Sequence, residues 1–216
     1  MLSPDRKAFL EAAQSGATMI PVACSWPADL ETPLTTWLKV GDQRPPGVLL
    51  ESVEGGETLG RWSVVACDPV WTLSAARDGL ERTWRDNHRE TFSENPFDCL
   101  RSCLEPYRPA TLPGLPPLGQ LYGMWGYELI RWIEPSVPVH PASADGPPDG
   151  LWMLMDSILI FDQVKRLITA VAYGDLSGQR NAAASPEEAW EGAMARINTL
   201  RERMAAPLPP VRPLNW

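Results

Sequence analysis

The sequence predicts an α+β fold in which a mixed, mostly antiparallel sheet is flanked by helices. Strand pairs joined by tight turns are interspersed with helices, which favours antiparallel hairpins over repeated parallel units. Hydrophobic residues make up 44% and charged residues 21% of the 216 positions, as in an ordinary globular protein. The 23 prolines and 16 glycines imply many turns and short helices and strands.

Four helices are predicted from their N-termini, because a residue that caps helices stands before a proline in each case. The last is the clearest, since Ser185 and Glu188 have the spacing of a capping box. The helices run from Pro4 to about Ser15, from Pro33 to Val40, from Pro96 to Glu105, and from Pro186 along an apolar stripe that ends at Met204, with Ser3, Thr32, Asn95 and Ser185 as caps.

Strands are predicted where apolar runs are bounded by glycine or polar turns. A single strand over Thr18–Cys24 comes first, and an apolar strand that runs into a short helix is expected within residues 118–133. Three hairpins are also expected. They pair Val48–Val53 with Leu59–Cys67, Val70–Ala75 with Glu81–Arg85, and Leu151–Phe161 with Arg166–Tyr173.

Proline positions divide the chain into one folded unit and a tail. Residues 106–117 and 135–148 each hold five prolines and are predicted to be extended connections, because proline is excluded from helix interiors and inner strands. Residues 1–205 are expected to form a single domain. Residues 206–216 hold four prolines in eleven positions and are expected to be a linker.

The excess of acidic over basic residues argues against two classes of binding partner. A formal charge of −8 and a pI near 4.8 disfavour nucleic acid and anionic membrane surfaces. The N-terminus lacks the apolar core of a secretory signal, and the longest apolar run, Leu151–Met155, is far shorter than the ~20 residues that span a bilayer. The four cysteines include no C-x-x-C pair, which is typical of reduced thiols. We therefore expect a cytoplasmic protein with no nucleic-acid or membrane partner.

The reactive side chains form no recognisable catalytic or metal-binding motif. The only histidines, His88 and His140, stand in a charged run and in a proline-rich connection, where surface histidines are expected. No nucleophile, base and orienting group occur together, so no catalytic residue, metal ligand or cofactor is predicted in this chain. Gly119, Gly123 and Gly126 are interpreted as positions that let aromatic side chains pack closely. The residues alone favour a binding or regulatory module.

One segment, Gly47–Ser52, combines an apolar strand with polar residues at its end. Glu51 offers a carboxylate for an ammonium group, and Ser52 offers a hydroxyl that both donates and accepts. Backbone groups at a strand end also lose their ladder partners and become available to a ligand. The spacing leaves open the alternative of an ordinary hairpin with polar ends.

Four segments, in order along the chain, match the pattern of one known family. They are Asp29-Leu-Glu-Thr-Pro33, Leu49-Leu-Glu-Ser-Val-Glu-Gly-Gly-Glu57 with Gly60-Arg-Trp-Ser63, Tyr122-Gly-Met-Trp-Gly-Tyr-Glu128, and Met155-Asp-Ser-Ile-Leu-Ile-Phe-Asp162. Together they resemble the N-terminal domain of the large subunit of anthranilate synthase, component I. The resemblance extends from about residue 18 to residue 204 and implies the fold of that domain.

The resemblance implies a place in tryptophan biosynthesis. Members of the family make anthranilate and pyruvate from chorismate and glutamine-derived or free ammonia with Mg²⁺, and tryptophan inhibits them. Their Leu-Leu-Glu-Ser motif contacts the inhibitor, which implies an L-tryptophan site at Leu50, Glu51 and Ser52, with Arg61 and Ser63 as supporting residues. The implied partners are a C-terminal chorismate-binding domain and a glutamine amidotransferase subunit.

Family members are more than twice as long as this chain, and their chorismate- and Mg²⁺-binding residues lie in the C-terminal half. We therefore expect this chain to supply regulation and to be inactive alone. Two alternatives stay open. One is the equivalent domain of aminodeoxychorismate synthase component I, from the folate pathway, and the other is a free-standing interaction module.

Overall fold

The computed structural model describes residues 2–41, 45–51, 60–76, 79–111, 119–138 and 146–210, apart from the side chain of Leu2. Within these ranges the helices are α1 (Arg6–Gln14), α2 (Pro33–Val40), α3 (Pro96–Leu104), α4 (Pro186–Ala205) and a 3₁₀ helix over Tyr127–Trp132. The strands are β1 (Leu2–Ser3), β2 (Met19–Pro27), β3 (Gly47–Leu50), β4 (Trp62–Cys67), β5 (Trp71–Ala76), β6 (Gly79–Trp84), β7 (Arg89–Phe92), β8 (Leu121–Trp125), β9 (Gly150–Leu154), β10 (Ser157–Asp162) and β11 (Leu167–Asp175).

The strands form two antiparallel sheets. One has six strands in the order β1-β2-β11-β10-β4-β3, and the other has five in the order β7-β6-β5-β9-β8. The chain passes between the sheets twice, at residues 68–70 after β4 and at residues 155–156 after β9. Asp68 takes a φ of +57° at the first crossover, which lets the backbone turn sharply there.

The largest correction to the sequence prediction concerns Leu151–Phe161. This run was expected to be one strand of a hairpin, but its first half is β9 in the five-stranded sheet and its second half is β10 in the six-stranded sheet. Both halves are buried, so the pattern of apolar residues does not mark the change of sheet. The hairpin is formed by β10 and β11 alone.

Most of the other predicted helices and strands are confirmed. The bounds of α2 match the prediction, α3 begins after Asn95, and Ser185 caps α4 by accepting a hydrogen bond from the Glu188 N–H at 3.2 Å. The other half of the predicted capping box is wrong, because the Glu188 carboxylate accepts from the Ala184 N–H at 3.0 Å and not from that of Ser185. The cap of α1 was predicted wrongly. It is Asp5, whose carboxylate accepts from the Ala8 N–H at 2.9 Å, because Leu2–Ser3 pairs with β2 as a short strand instead. Strand β7 was not predicted.

Buried apolar residues pack against both faces of the six-stranded sheet. On one side, Leu159 packs with Leu200 of α4 and with α2, while Phe9 of α1 packs beside the first half of α4. On the other side, Ile158 belongs to the largest cluster, which it shares with Trp71 and Trp152 of the five-stranded sheet and with α3. The alternation along β10 follows from the period of two in a strand.

Close packing of α4 on the sheet depends on a glycine in β11. A Cβ added at Gly174 would collide with the ring of Phe9 and lie 2.9 Å from the carbonyl oxygen of Ala189. By contrast, a Cβ added at Gly192, inside α4, would meet nothing nearer than the Arg196 guanidinium at 3.6 Å.

We predict opposite effects of alanine at these two glycines. Gly174→Ala should lower the free energy of unfolding by about 1–3 kcal/mol, because it forces α4 away from the sheet. Gly192→Ala should raise it by about 0.5–1 kcal/mol, because glycine is unfavourable inside a helix. Urea unfolding of the two variants beside the unchanged chain measures both. Equal stability of the two variants would contradict the packing described for β11 and α4.

Candidate functional site

The structure places two of the three principal predicted site residues at an open sheet edge. Strand β3 is one of the two edge strands of its sheet, and Leu50, its last residue, pairs with Val64 and is 50% exposed. Glu51 follows directly and is exposed. Ser52, the third predicted residue, lies outside the described residues.

Arg61, predicted as a supporting residue, is held in place just before β4. Its Nε and Nη2 donate to the two carboxylate oxygens of Asp162 at 3.1 and 2.7 Å. Its guanidinium also lies over the ring of Trp62, 4.5 Å from the ring centre. A paired, stacked arginine is oriented before any ligand arrives, so it can contribute direction as well as charge.

Ser63, the second supporting residue, is placed differently from Leu50 and Glu51. It is fully buried in β4, and its hydroxyl accepts a hydrogen bond from the Gln163 side chain at 3.4 Å. The structure therefore brings Leu50, Glu51 and Arg61 to one end of the β3–β4 pair, with the hydroxyl of Ser63 directed inward.

Asp162 organises the turn that lies beside this edge. Besides pairing with Arg61, its carboxylate accepts from the N–H groups of Val164 and Lys165 at 3.1 and 3.0 Å. Burial by itself raises the pKa of this carboxyl, but the hydrogen bonds and charge of Arg61 and the two N–H groups outweigh it. The net result is a pKa below the ordinary value. The Gln163 N–H donates to the Arg61 carbonyl at 2.9 Å and closes the same junction.

The arrangement suits a ligand that has both an ammonium group and an apolar part. Glu51 supplies an exposed carboxylate, Leu50 supplies half-exposed apolar surface, and the outer side of β3 has no strand paired to it among the described residues. An unpaired strand edge offers N–H and C=O groups in a row. These are binding groups, and none of them is an acid–base pair suited to covalent chemistry.

The sequence interpretation missed a charged cluster where the chain crosses between sheets. Asp156 is buried and accepts two hydrogen bonds from Arg85, both at 2.9 Å, while Arg196 Nε lies 3.5 Å away. An acidic residue that is buried needs a basic or hydrogen-bonding partner. The position of Asp156 inside an apolar run was therefore the indication of this cluster that the sequence offered. The identity of the partners could not be predicted from the sequence, because Arg85 and Arg196 stand 71 residues before and 40 residues after Asp156.

Other predicted features stand as follows. None of the four cysteines forms a disulfide, and burial raises the pKa of Cys99 to about 12, as expected of an inert structural thiol. His88 is partly exposed, and His140 lies outside the described residues. Gly123 lies against Trp152, which confirms the interpretation of close aromatic packing at that position. The interpretation is wrong for Gly126, which packs against the Asp149 backbone, and for Gly119, which has no aromatic side chain beside it among the described residues. In the described ranges we find no group of three or more metal-ligating side chains and no helix that has the length and apolarity to cross a membrane.

The known proteins described next all carry the name anthranilate synthase component 1 or component I. Anthranilate synthase component 1 of Synechocystis sp. (strain ATCC 27184 / PCC 6803 / Kazusa) is 50% identical over 211 residues, covering 97% of this chain and 41% of the relative. Its counterpart in Pseudomonas putida is 34% identical over 220 residues, covering 98% and 42%. The solved structure of anthranilate synthase component I from Streptococcus pneumoniae TIGR4 matches with a TM-score of 0.54 at 22% identity, covering 85% of this chain and 37% of that one. No family model matches.

Identity of 50% along nearly the whole chain decides the relationship. The chain is homologous to the N-terminal part of anthranilate synthase component I. It spans about two-fifths of the length of the curated component I relatives that it matches. The solved component I structure has the same type of fold, so the predicted α+β class and the predicted resemblance are both confirmed.

The Arg61–Asp162 pair gives a pH-dependent prediction. Asp162→Asn should lower the free energy of unfolding at pH 7 by about 1–2 kcal/mol, allowing for partial exposure of Arg61. A lowered carboxyl pKa contributes stability above the unfolded value of ~3.9, and this contribution is lost as the pH falls through the folded value. The difference between the two proteins should therefore shrink below about pH 4. Urea unfolding between pH 7 and pH 3 measures it.

Asp29→Asn is the matched control, since Asp29 is an exposed aspartate in a turn. It should leave stability nearly unchanged across the same pH range. If Asp162→Asn behaved like this control, the pair would contribute nothing to the fold.

Proposed function

We propose that this chain is the N-terminal regulatory domain of an anthranilate synthase component I, and that it binds L-tryptophan as a feedback inhibitor at Leu50, Glu51 and Ser52. The observation that carries the proposal is the 50% identity over 211 residues to a protein named anthranilate synthase component 1. The exposed edge position of Leu50 and Glu51 supports it, because an inhibitor must reach its site from solvent.

The chemistry of the edge fits an amino-acid inhibitor. The Glu51 carboxylate would pair with the ammonium group, Ser52 would hydrogen-bond to the polar end, and Leu50 would contact the apolar part. Arg61 is already fixed by Asp162, so its positive charge lies in a defined position near this end of β4. Inhibition of this kind is a coupling free energy between two sites.

The reaction is assigned to the rest of the enzyme. In this proposal a C-terminal chorismate-binding domain converts chorismate and ammonia into anthranilate and pyruvate with Mg²⁺, and a glutamine amidotransferase subunit supplies the ammonia in the cytoplasm. The described part of this chain is given no step of that chemistry and no cofactor, since its residues at the β3–β4 edge are suited to binding.

We predict that altering the edge relieves inhibition and spares turnover. In a full-length component I that contains this domain, Glu51→Gln and Ser52→Ala should each raise the inhibition constant for L-tryptophan about ten- to a hundredfold, since a hydrogen bond to a charged group contributes about 1.5–3 kcal/mol. The rate without inhibitor should stay near that of the unchanged enzyme. Anthranilate fluorescence at a series of tryptophan concentrations gives both values.

Glu105→Gln provides a control of identical chemistry at an exposed position at the end of α3. It should keep the original inhibition constant. Unchanged inhibition in both Glu51→Gln and Ser52→Ala would refute the site assignment.

A further prediction separates regulation from catalysis. The purified 216-residue chain, given chorismate, ammonia and Mg²⁺, should form no anthranilate, because the proposal assigns it no catalytic group. Steady production of anthranilate by this chain alone would overturn that division. If the full-length enzyme made aminodeoxychorismate in place of anthranilate, the folate-pathway alternative would hold. If tryptophan had no effect on the full-length enzyme, the result would favour a free-standing interaction module.

A further inference from the structure

A polar cavity of about 290 Å³ lies away from the β3–β4 edge, between α4, the loop after β11 and the second sheet crossover. Its wall includes Arg85, Asp156, Asp175, Glu188, Gly192 and Arg196. Ligand pockets in proteins begin at about 300 Å³, so this one has room for a small molecule only. At ~30 Å³ per water molecule its volume equals about ten waters.

Two of the five charged groups in the wall satisfy each other. Arg85 and Asp156 form a two-point ion pair, and Arg196 Nε also lies 3.5 Å from Asp156. Asp175 and Glu188 complete the charged wall, and the Glu188 carboxylate accepts from the Ala184 N–H at 3.0 Å. The cavity therefore presents one positive and two negative groups.

Arg196 has donors that its protein neighbours do not use. One of its terminal nitrogens donates to the carbonyl of Tyr173, but its Nε is completely buried and makes no hydrogen bond, at 3.5 Å from Asp156. Because this Nε is inaccessible to solvent, a ligand in the cavity would contact the guanidinium through its terminal nitrogens, which lie 3.6 and 3.9 Å from a Cβ added at Gly192 in the cavity wall.

Asp175 presents the opposite charge. It is nine-tenths buried, and its carboxylate accepts from the Ser177 N–H at 2.8 Å. Burial and the charge of Asp156 raise the pKa of Asp175, so the ionised form lacks sufficient positive charge around it. A carboxylate has about four acceptor positions, which is more than Ser177 occupies.

Gly192 keeps the cavity open. It lies inside α4, where glycine costs about 0.5–1 kcal/mol relative to alanine. No close packing explains it, because a Cβ at this position would touch only the Arg196 guanidinium, at 3.6 Å. A side chain here would instead extend over Arg196 into the cavity.

We propose that this cavity binds a small free α-amino acid of up to about ten non-hydrogen atoms, a size set by the cavity volume. Its carboxylate pairs with Arg196, and its ammonium group lies between Asp175 and Glu188. The proposal does not rest on the tryptophan site at the β3–β4 edge.

The test is ligand-observed NMR and calorimetry on the 216-residue chain with L-alanine, L-serine and L-glutamine at about 10 mM, a concentration at which a site with a Kd of ~1 mM is about nine-tenths occupied. We expect saturation with at least one of them. Ethylamine and propionate, which carry only one of the two charges, should bind at least tenfold more weakly than L-alanine. L-tryptophan exceeds the size limit of the cavity, so any binding of L-tryptophan to this chain should be weakened in the Glu51→Gln variant.

Variants locate the binding. Arg196→Lys keeps the charge but removes the planar fork of donors, and Asp175→Asn keeps the acceptor for Ser177. Each should weaken binding tenfold or more. Gly192→Leu should abolish binding by filling the cavity while the urea midpoint stays equal or rises, since leucine favours helix. Arg201→Lys, the same change at an exposed position of α4, and Glu51→Gln should leave binding unchanged.

Three results would overturn the proposal. They are no saturation with any of the three amino acids, equal binding of propionate and L-alanine, and full binding by a folded Gly192→Leu variant. The first would mean that the cavity holds water only, the second that it is a simple anion site, and the third that the ligand lies elsewhere.

Discussion

The ion pair between Arg85 and Asp156 is the interaction on which the arrangement of the two sheets depends. Arg85, at the end of β6, donates both terminal nitrogens to Asp156 and further hydrogen bonds to the carbonyls of Pro69 and Asp68. Its own N–H donates to Val70 at 2.9 Å. One residue therefore ties together both places where the chain passes between the sheets. Burial disfavours the charge, but Asp156 outweighs it and raises the pKa of Arg85 above its ordinary value.

This clamp also fixes the position of the candidate inhibitor site. Strand β4 runs directly into the first crossover, so Arg85 holds its far end, while the Arg61–Asp162 pair holds its beginning. With both ends pinned, β4 becomes a rigid base for β3, its neighbour at the sheet edge. The geometry around Leu50 and Glu51 thus depends on a charged contact that neither residue touches. Arg85 is itself 41% exposed, but its loss would leave the buried carboxylate of Asp156 without its two-point partner, which is costly.

Local chemistry determined which features could be predicted. The bounds of α2 and α3 follow from Thr32 and Asn95, whose side chains cap the helices within a few residues of themselves. The polar end of β3 was also predictable, because Glu51 is a charged residue that directly follows the apolar residues of the strand. The division of Leu151–Phe161 between two sheets was not, since buried strands of either sheet have the same composition. The inward position of Ser63 depends on the register between β4 and β10, which is a long-range pairing.

The edge position of β3 has a thermodynamic consequence. Among the described strands β3 is held by one ladder only, to β4, whereas β10 and β11 each take part in two. Detaching Gly47–Leu50 therefore breaks a single ladder and removes only partly buried side chains from the clusters, which places this segment toward the low end of the local unfolding free energies. A molecule that binds beside Glu51 only when β3 is paired draws that local equilibrium toward the paired state. Its binding free energy would appear as added protection of the backbone amides of this four-residue strand against solvent exchange.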